Sequence, residues 1–321
     1  MRTWVRIACL CALLAATPAF AQTYPNRLVR IIVPFAAGGP TDVIARLLGQ
    51  RLTERLGQPF IIENHPGAGG NIGMGMAARA AGDGYTLLFV SSSYVVNPSL
   101  YNKIPYDPDR DFVPITKAAA ATHALLVHPS VPARSVKDLV ALIRAEPGKY
   151  NIASPGAGTA PSLSIELFKQ SFDLRELVVV PFAGGSPAIQ SVVAGHTPLS
   201  FQAIPPATAL IKDGKLRALA VTSLKRAAAL PDVPTLDELG IKDQEAETMQ
   251  GVLAPAGTPR EIVNLLQREI AAILAMPDVR EKILVLGFEP SGLTPAEFDA
   301  YIKAEIAKWR KVIEKAGIAK I

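Results

Sequence analysis

The stretch "VPFAAGGPTD", Val33 to Asp42, decides how this chain is read. An apolar run, Leu28–Pro34, gives way after Phe35 to four small residues, and a helical pattern follows over Thr41–Leu56. Pro40 stands where that helix begins, a position that suits proline because the N–H it lacks would be unpaired there anyway. Glycines at 38 and 39 let a ligand approach the backbone. A helix N-terminus also presents free amides and partial positive charge to an anion. Two readings are open at this point. Asp42 caps its own helix and the glycines only make the turn, or the bare amides receive a carboxylate or phosphate oxygen.

The same strand–turn–helix unit recurs along the chain. Candidate strands are Phe60–Glu63, Tyr85–Val90, Ala124–His128, Tyr150–Ala153, Leu177–Phe182, Leu199–Gln202, Leu216–Thr222 and Gly251–Ala254. Between them helical patterns cover Asn71–Ala81, Val136–Ala145, Ser162–Ser171, Pro187–Ala194 and Pro205–Asp213. This alternation predicts an α/β fold of mostly parallel sheets with helices on both faces. Two long helices are expected near 259–275 and 295–315, opened by the capping boxes Thr258-Pro-Arg-Glu261 and Thr294-Pro-Ala-Glu297. Ser135-x-x-Asp138 is a shorter version of the same signal. Core stripes are expected at Leu265, Ile270, Ile273 and Leu274, and at Ile302, Ile306, Trp309 and Ile313. "VPFAAGGPTDVIARLL" at 33–48 is echoed by "VPFAGGSPAIQSVVAG" at 180–195, which fits two similar α/β domains facing each other.

Arg2 and Arg6, the apolar Ile7–Ala16 and the Ala19-Phe20-Ala21 tripeptide make residues 1–21 a signal peptide, with maturation expected at Gln22. Both cysteines, Cys9 and Cys11, fall inside it, so the mature chain is expected to rely on its hydrophobic core with no thiol, disulfide or cysteine-bound metal. Losing Arg2 and Arg6 lowers the formal charge from +5 to +3. That charge is scattered, and no basic face interleaved with aromatics marks a nucleic-acid partner.

In open α/β sheets ligands lie beyond the carboxyl ends of the strands. The turns there are "VPFAAGGPTD", "ENHPGAGGNIG" (63–73), "SSSYVVN" (91–97), "ASPGAGTAPS" (153–162) and "VPFAGGSPA" (180–188). None contains Arg or Lys, and neither a phosphate-binding G-x-x-x-x-G-K-[ST] loop nor a complete G-x-G-x-x-G fingerprint is present. Neutral donors suit a small carboxylate better than a nucleotide, and no cofactor or metal is expected. The four histidines are scattered, and G-x-S-x-G and H-E-x-x-H are absent.

These turns, together with "NPSLY" (97–101), "IKDGKLRALAVTS" (211–223), "LPDVPTLDELG" (230–240) and "APAGTP" (254–259), resemble the solute-binding proteins of tripartite tricarboxylate transporters, the TctC/Bug family, over residues 24–317. The resemblance implies a monomeric periplasmic Venus flytrap. Domain 1 would hold 22–121 plus 247–321 and domain 2 would hold 122–246. The two would close on a carboxylate and deliver it to the membrane permease subunits. Its cleft loops imply Phe35, Ala37, Gly38, Gly39, Thr41 and Asp42, then Asn64, Gly67, Ala68, Gly69, Ser92 and Ser93, from domain 1. From domain 2 they imply Ser154, Gly156, Thr159, Phe182, Gly184 and Gln202. The family often carries Asp where this chain has Gln202, and Trp near Met249. Gln202 removes a charge that would hold a ligand ammonium, so a mono- or dicarboxylate is expected over an amino acid. The other readings are an exported α/β hydrolase-like enzyme and a sensor feeding a membrane receptor.

Overall fold

The computed structural model describes residues 24–156, 159–182 and 184–321. The expected signal peptide, and the turn residues 157, 158 and 183, lie outside them. Ten strands form one continuous ladder, β2-β1-β3-β9-β4-β7-β5-β6, with β8 and β10 each pairing with β4.

The first half of the ladder is built on β1 (Val29–Val33), flanked in parallel by β2 (Phe60–Asn64) and β3 (Thr86–Ser91). Val29, Ile31 and Val33 face one core while Ile32 faces the other. Burial on both faces is why this strand reads as an unbroken apolar run. Helices α1 (Pro40–Leu56) and α8 (Arg260–Leu274) cover the first face. Helices α2 (Asn71–Ala78), α3 (Ser93–Leu100) and α10 (Pro295–Ala316) cover the second. The other half repeats the plan. β5 (Asn151–Ser154) lies between β6 (Val178–Pro181) and β7 (Leu199–Ala203), all parallel. Here α4 (Val136–Ala145) and α5 (Ala160–Phe172) cover one face, and α6 (Gly185–Val193) and α7 (Ile204–Lys212) the other.

The halves are joined through β4 (Phe112–Val127) and β9 (Glu247–Pro255). The two run antiparallel from Phe112↔Pro255 to Thr122↔Glu247, and β4 then pairs with β7 from His123↔Ala203 onward. The parallel triplets are thus tied together by antiparallel strands. β4 also pairs with β8 (Arg217–Val221) and with the short β10 (Glu289–Pro290) that follows α9 (Pro277–Val285).

Three local features differ from expectation. The strand expected at Ala124–His128 begins twelve residues earlier, because its alanine-rich half is held by β9 and β10 despite the helical preference of alanine. The hydroxyl-rich turn at 91–97 continues into α3, even though Pro98 sits inside it. Pro98 cannot donate to the Tyr94 carbonyl one turn back, and the Tyr106 hydroxyl donates there instead at 3.1 Å. Thr258 does not cap α8. Its hydroxyl donates to the Pro255 carbonyl, and Val263 and Leu266 reach the core where Leu265 was expected. Ser135 and Thr294 cap their helices, and Thr294 forms the full reciprocal box with Glu297.

The echo between 33–48 and 180–195 does not link equivalent strands. β1 is the middle of its parallel triplet, whereas β6 is an edge strand. The positional counterpart of the 33–42 turn is the one after β5, "ASPGAGTAPS".

Close packing of β9 on α10 sets a limit on sequence. A Cβ at Gly251 would overlap the Phe298 ring. Gly251→Ala is expected to cost about 1–3 kcal/mol in urea unfolding, and much of that loss should return in the Gly251→Ala/Phe298→Leu double variant.

Candidate functional site

The carboxyl ends of the two parallel triplets approach each other along β4. Ser91, ending β3, and Ala119 of β4 both pair with Gln250, while Ala203, ending β7, pairs with His123. Four residues of strand separate these levels, roughly 13 Å at 3.3 Å per residue. The turns after β1, β2 and β3 therefore open toward the turns after β5, β6 and β7, across the place where the chain passes between lobes. Six helices begin there: α1, α2 and α3 on one side, α5, α6 and α7 on the other.

In the first lobe, side chains are occupied in holding the turns. Asp42 is 2% exposed. Its Oδ2 accepts from the Gly38 amide and Arg46 Nε, both at 2.9 Å, and its Oδ1 accepts from Asn64 Nδ2 at 2.8 Å. Asn64 also donates to the Phe35 carbonyl and accepts from Arg46 Nη2. Burial pushes the Asp42 carboxyl up. The hydrogen bonds from Arg46, Gly38 and Asn64 outweigh that and hold it below its ordinary range. So Asp42 and Asn64 brace the turn, and the Gly38 amide is already taken. Gly38 has φ +86°, a conformation that favours glycine, and Ala37 and Gly38 are exposed. Gly39 has ordinary backbone angles, and the nearest atom to a Cβ there would be Ala36 O at 3.8 Å, so its outer side is open. Thr41 is nearly buried in the first turn of α1.

The turn at 67–70 is held from below. Asn97, 2% exposed, donates to the Gly69 carbonyl and to Asn71 Oδ1. Gly67 and Gly69 have positive φ, and so does Ala68 at 47°. A non-glycine residue in that region is strained, and strain of this kind gathers at ligand sites. Ser92 accepts from the Met249 amide and donates to the Glu247 carbonyl, tying β3 to β9 rather than facing the cleft. The Ser93 hydroxyl, at the start of α3, has no protein partner.

The second lobe repeats the pattern. Ser154 Oγ donates to Ser162 Oγ at 2.9 Å and accepts from the Gly156 amide at 3.3 Å. Thr159 caps α5, accepting from the Ser162 amide and donating to the Gly156 carbonyl. The Phe182 amide donates to the Ser154 carbonyl, which docks the turn after β6 on the turn after β5. Gly184, φ +127°, opens α6. Gln202, 2% exposed, donates to Ser200 Oγ, and its Oε1 lies 3.1 Å from where a Gly185 Cβ would stand. Its carbonyl therefore sits under the first turn of α6.

A cavity of about 540 Å³ also spans the lobe junction, lined among others by Lys117, Thr122, Ile204, Arg226, Phe288 and Glu289. Of the converging helix starts it touches only that of α7, at Ile204, and it includes none of the glycine-rich turns. Lys117 and Arg226 are already paired with Glu247 and Glu238, at 2.6 and 2.9 Å. The converging helix starts make the turns the stronger candidate for anion capture. Asn97, Ser162 and Arg46, which sequence reasoning missed, build those turns. Their only sequence signal was proximity to glycine-rich segments.

The fold and site thus define a two-lobed solute-binding protein of the Venus-flytrap type. A profile described as "Tripartite tricarboxylate transporter family receptor" matches residues 44–318, and the chain belongs to this TctC/Bug family. Three solved structures are similar to it over nearly their whole length. The periplasmic binding protein BugD shares 35% identity, with a TM-score of 0.76, covering 93% of this chain and 100% of that one. Rpa4515 of R. palustris, solved with adipate, shares 36% identity with a TM-score of 0.79, covering 93% and 100%. MatC of Rhodopseudomonas palustris, solved with bound malate, shares 32% identity with a TM-score of 0.74, covering 90% and 100%.

The bracing role separates two substitutions in one turn. Asp42→Ala is expected to lose about 2–3 kcal/mol of stability at neutral pH. Because its folded-state value is depressed, the loss should persist above about pH 4 and shrink as wild-type Asp42 itself is protonated below that. Gly39→Leu should stay within about 0.5 kcal/mol of wild type. Urea titrations at pH 7 and pH 3 read both.

Proposed function

We propose that this protein captures a small mono- or dicarboxylate between its lobes, closes over it, and delivers it unchanged to the permease of a tripartite tricarboxylate transporter. It acts in the periplasm, as a monomer, after removal of residues 1–21. The lobes are residues 22–121 with 247–321, and residues 122–246, so that the chain crosses twice between them. The observation that carries this reading is the convergence of two sets of helix N-termini across β4. Asp42, Asn64, Ser154 and Thr159 are occupied in bracing, which leaves main-chain amides, with the unpartnered Ser93 hydroxyl beside them, as donors.

Charge supports the ligand class. Asp42, the acid nearest the first turn, is neutralised by Arg46 within its own lobe. An incoming carboxylate therefore meets amide dipoles and helix starts, which favour negative charge without a lysine or arginine. Adipate and malate, held by the similar proteins Rpa4515 and MatC, are acids of this kind. On the second lobe, Gln202 is a neutral amide held on Ser200 Oγ beneath α6, so no carboxylate stands at that position to hold an ammonium and the ligand does not require an amino group. Closure follows from linkage. A ligand bridging both lobes stabilises the closed form by its extra affinity for that form.

A thermal-shift and calorimetric screen tests this. Adipate, malate and succinate are expected to raise the melting temperature, and an acid at 100 times its Kd should add about 2.7 kcal/mol to stability. Aspartate and glutamate should bind more weakly than their deaminated counterparts. Gly39→Leu should remain folded and lose the response, since its side chain enters the cleft. Tight aspartate binding with no response to any deaminated acid would reverse the ligand assignment. Conversion of the acid during overnight incubation, followed by mass spectrometry, would replace binding with catalysis.

A further inference from the structure

Helix α5 belongs to the second lobe, yet one side of it lies in the first. Its N-terminus carries the Thr159 cap and faces the cleft. Leu163 and Leu167, on its next turns, are packed in one cluster with Ile306, Trp309, Val312 and Ile313 of α10. Gln170 Nε2 donates to the Val312 carbonyl at 3.2 Å. Rotation of the lobes must therefore move α5 against α10.

At the centre of this contact lies His123, 0% exposed, the residue at which β4 changes partner from β9 to β7. Its Nδ1 is 2.9 Å from Ser164 Oγ of α5, and its Nε2 is 3.0 Å from Thr248 Oγ1 of β9. Ser164 Oγ donates in turn to the Ala160 carbonyl at 3.2 Å. A hydroxyl has one proton; with Ser164 donating to Ala160, the ring takes its proton on Nδ1 and Thr248 donates to Nε2, and in the other tautomer the same two bonds run in the opposite direction. The result is an ordered chain from the first-lobe strand β9 to the first residue of α5, beside the Thr159 cap. Thr222 closes the hinge alongside it, accepting from the His123 amide and donating to the Ala246 carbonyl. It thereby links the two passages of the chain between lobes.

We propose that His123 is a positioning residue for lobe closure: it sets the tilt of α5 against the first lobe, and so where the Gly156–Thr159 turn stands relative to the Gly39 turn. The idea rests on the capture reading for its purpose, but the geometry it concerns exists without ligand. A bidentate neutral ring suits this role because it holds two elements at once and carries no charge needing water. Burial, then the nearby Lys308 ammonium, push the ring's pKa down to about 3, so it stays neutral across the physiological range.

Ser164→Ala and Thr248→Val each cut one end of the chain, and His123→Gln keeps a group near the Nε2 position only. Small-angle scattering of the full chain without ligand should show a changed radius of gyration or a broadened distance distribution in all three. Adipate affinity should fall by about fivefold or more in each single variant. Ser164→Ala/Thr248→Val should be little worse than the poorer single, because both act through one ring. The wild-type profile for adipate should be flat from about pH 6.5 to pH 8, above the range in which adipate itself takes up a proton. A purely structural role would lower melting temperatures and leave ligand-free shape and affinity unchanged, and that result would overturn the proposal. If wild-type protein bound no carboxylate while the variants still changed shape, the capture reading would fall and His123 would keep its role.

Discussion

Everything at the cleft depends on β4 being continuous through both halves of the ladder. A strand that pairs with β9 on one side of Thr122 and with β7 on the other leaves the lobes no freedom to slide. Any relative motion of the lobes is thereby confined to rotation about a short segment. That constraint also orients the chemistry. Because β3 and β7 each end near the change of partner, every strand-to-helix turn of a parallel triplet faces the gap. The geometry of an anion site follows from strand direction before any particular side chain is considered. Side chains then decide whether the turns hold their shape.

They do so by using up their own polarity. In the first lobe, Asp42, Arg46 and Asn64 satisfy one another and the Gly38 amide. In the second, Ser154, Ser162 and Thr159 satisfy one another and the Gly156 backbone. A turn braced this way has little left to reorganise when a ligand arrives, so less ordering cost offsets binding. A small acid needs this, since it has few atoms with which to recover such a cost. Gly38, Gly67 and Gly69 take left-handed angles fixed by hydrogen bonds, and strained Ala68 sits among them.

How much of this was legible varies with the physical origin of each feature. The doubly buried strands were readable because apolar runs such as "LLFV" (87–90) between turn residues have few alternatives, whereas "LVVV" (177–180), which reads the same way, forms an edge strand with Val178 half exposed. The helices that start at prolines were readable from their punctuation, and the glycine turns marked the cleft. The first half of β4 was not. "TKAAAAT" favours helix locally, and only pairing with β9 and β10, distant in sequence, makes it a strand. Helix α3 was hidden because Pro98 looks like a breaker, and its compensation by Tyr106 is a tertiary contact. At the site, residue positions were visible but their duties were not. Whether Asp42 faces a ligand or its own Gly38 amide turns on a side-chain rotamer, and spacing alone leaves both open. His123 looked like one of four scattered histidines, because Ser164 and Thr248 lie 41 and 125 residues away.

The misplaced echo between 33–48 and 180–195 carries a physical lesson of its own. Val-Pro-Phe followed by small residues recurs after β1 and after β6, although one is a central strand and the other an edge. What the two share is a local requirement to end a strand, leave the backbone bare, and place a proline in the first turn of the next helix. Sequence similarity here tracks the demand of the turn and not the position of the strand in its sheet. The position equivalent to the first turn, after β5, meets the same demand with Ser-Pro-Gly and a threonine cap. Strand order, not wording, is therefore the sounder guide to which loops oppose each other across the cleft. By that guide the turn at Gly39 corresponds to the cap of α5, the helix that His123 ties to β9 of the other lobe.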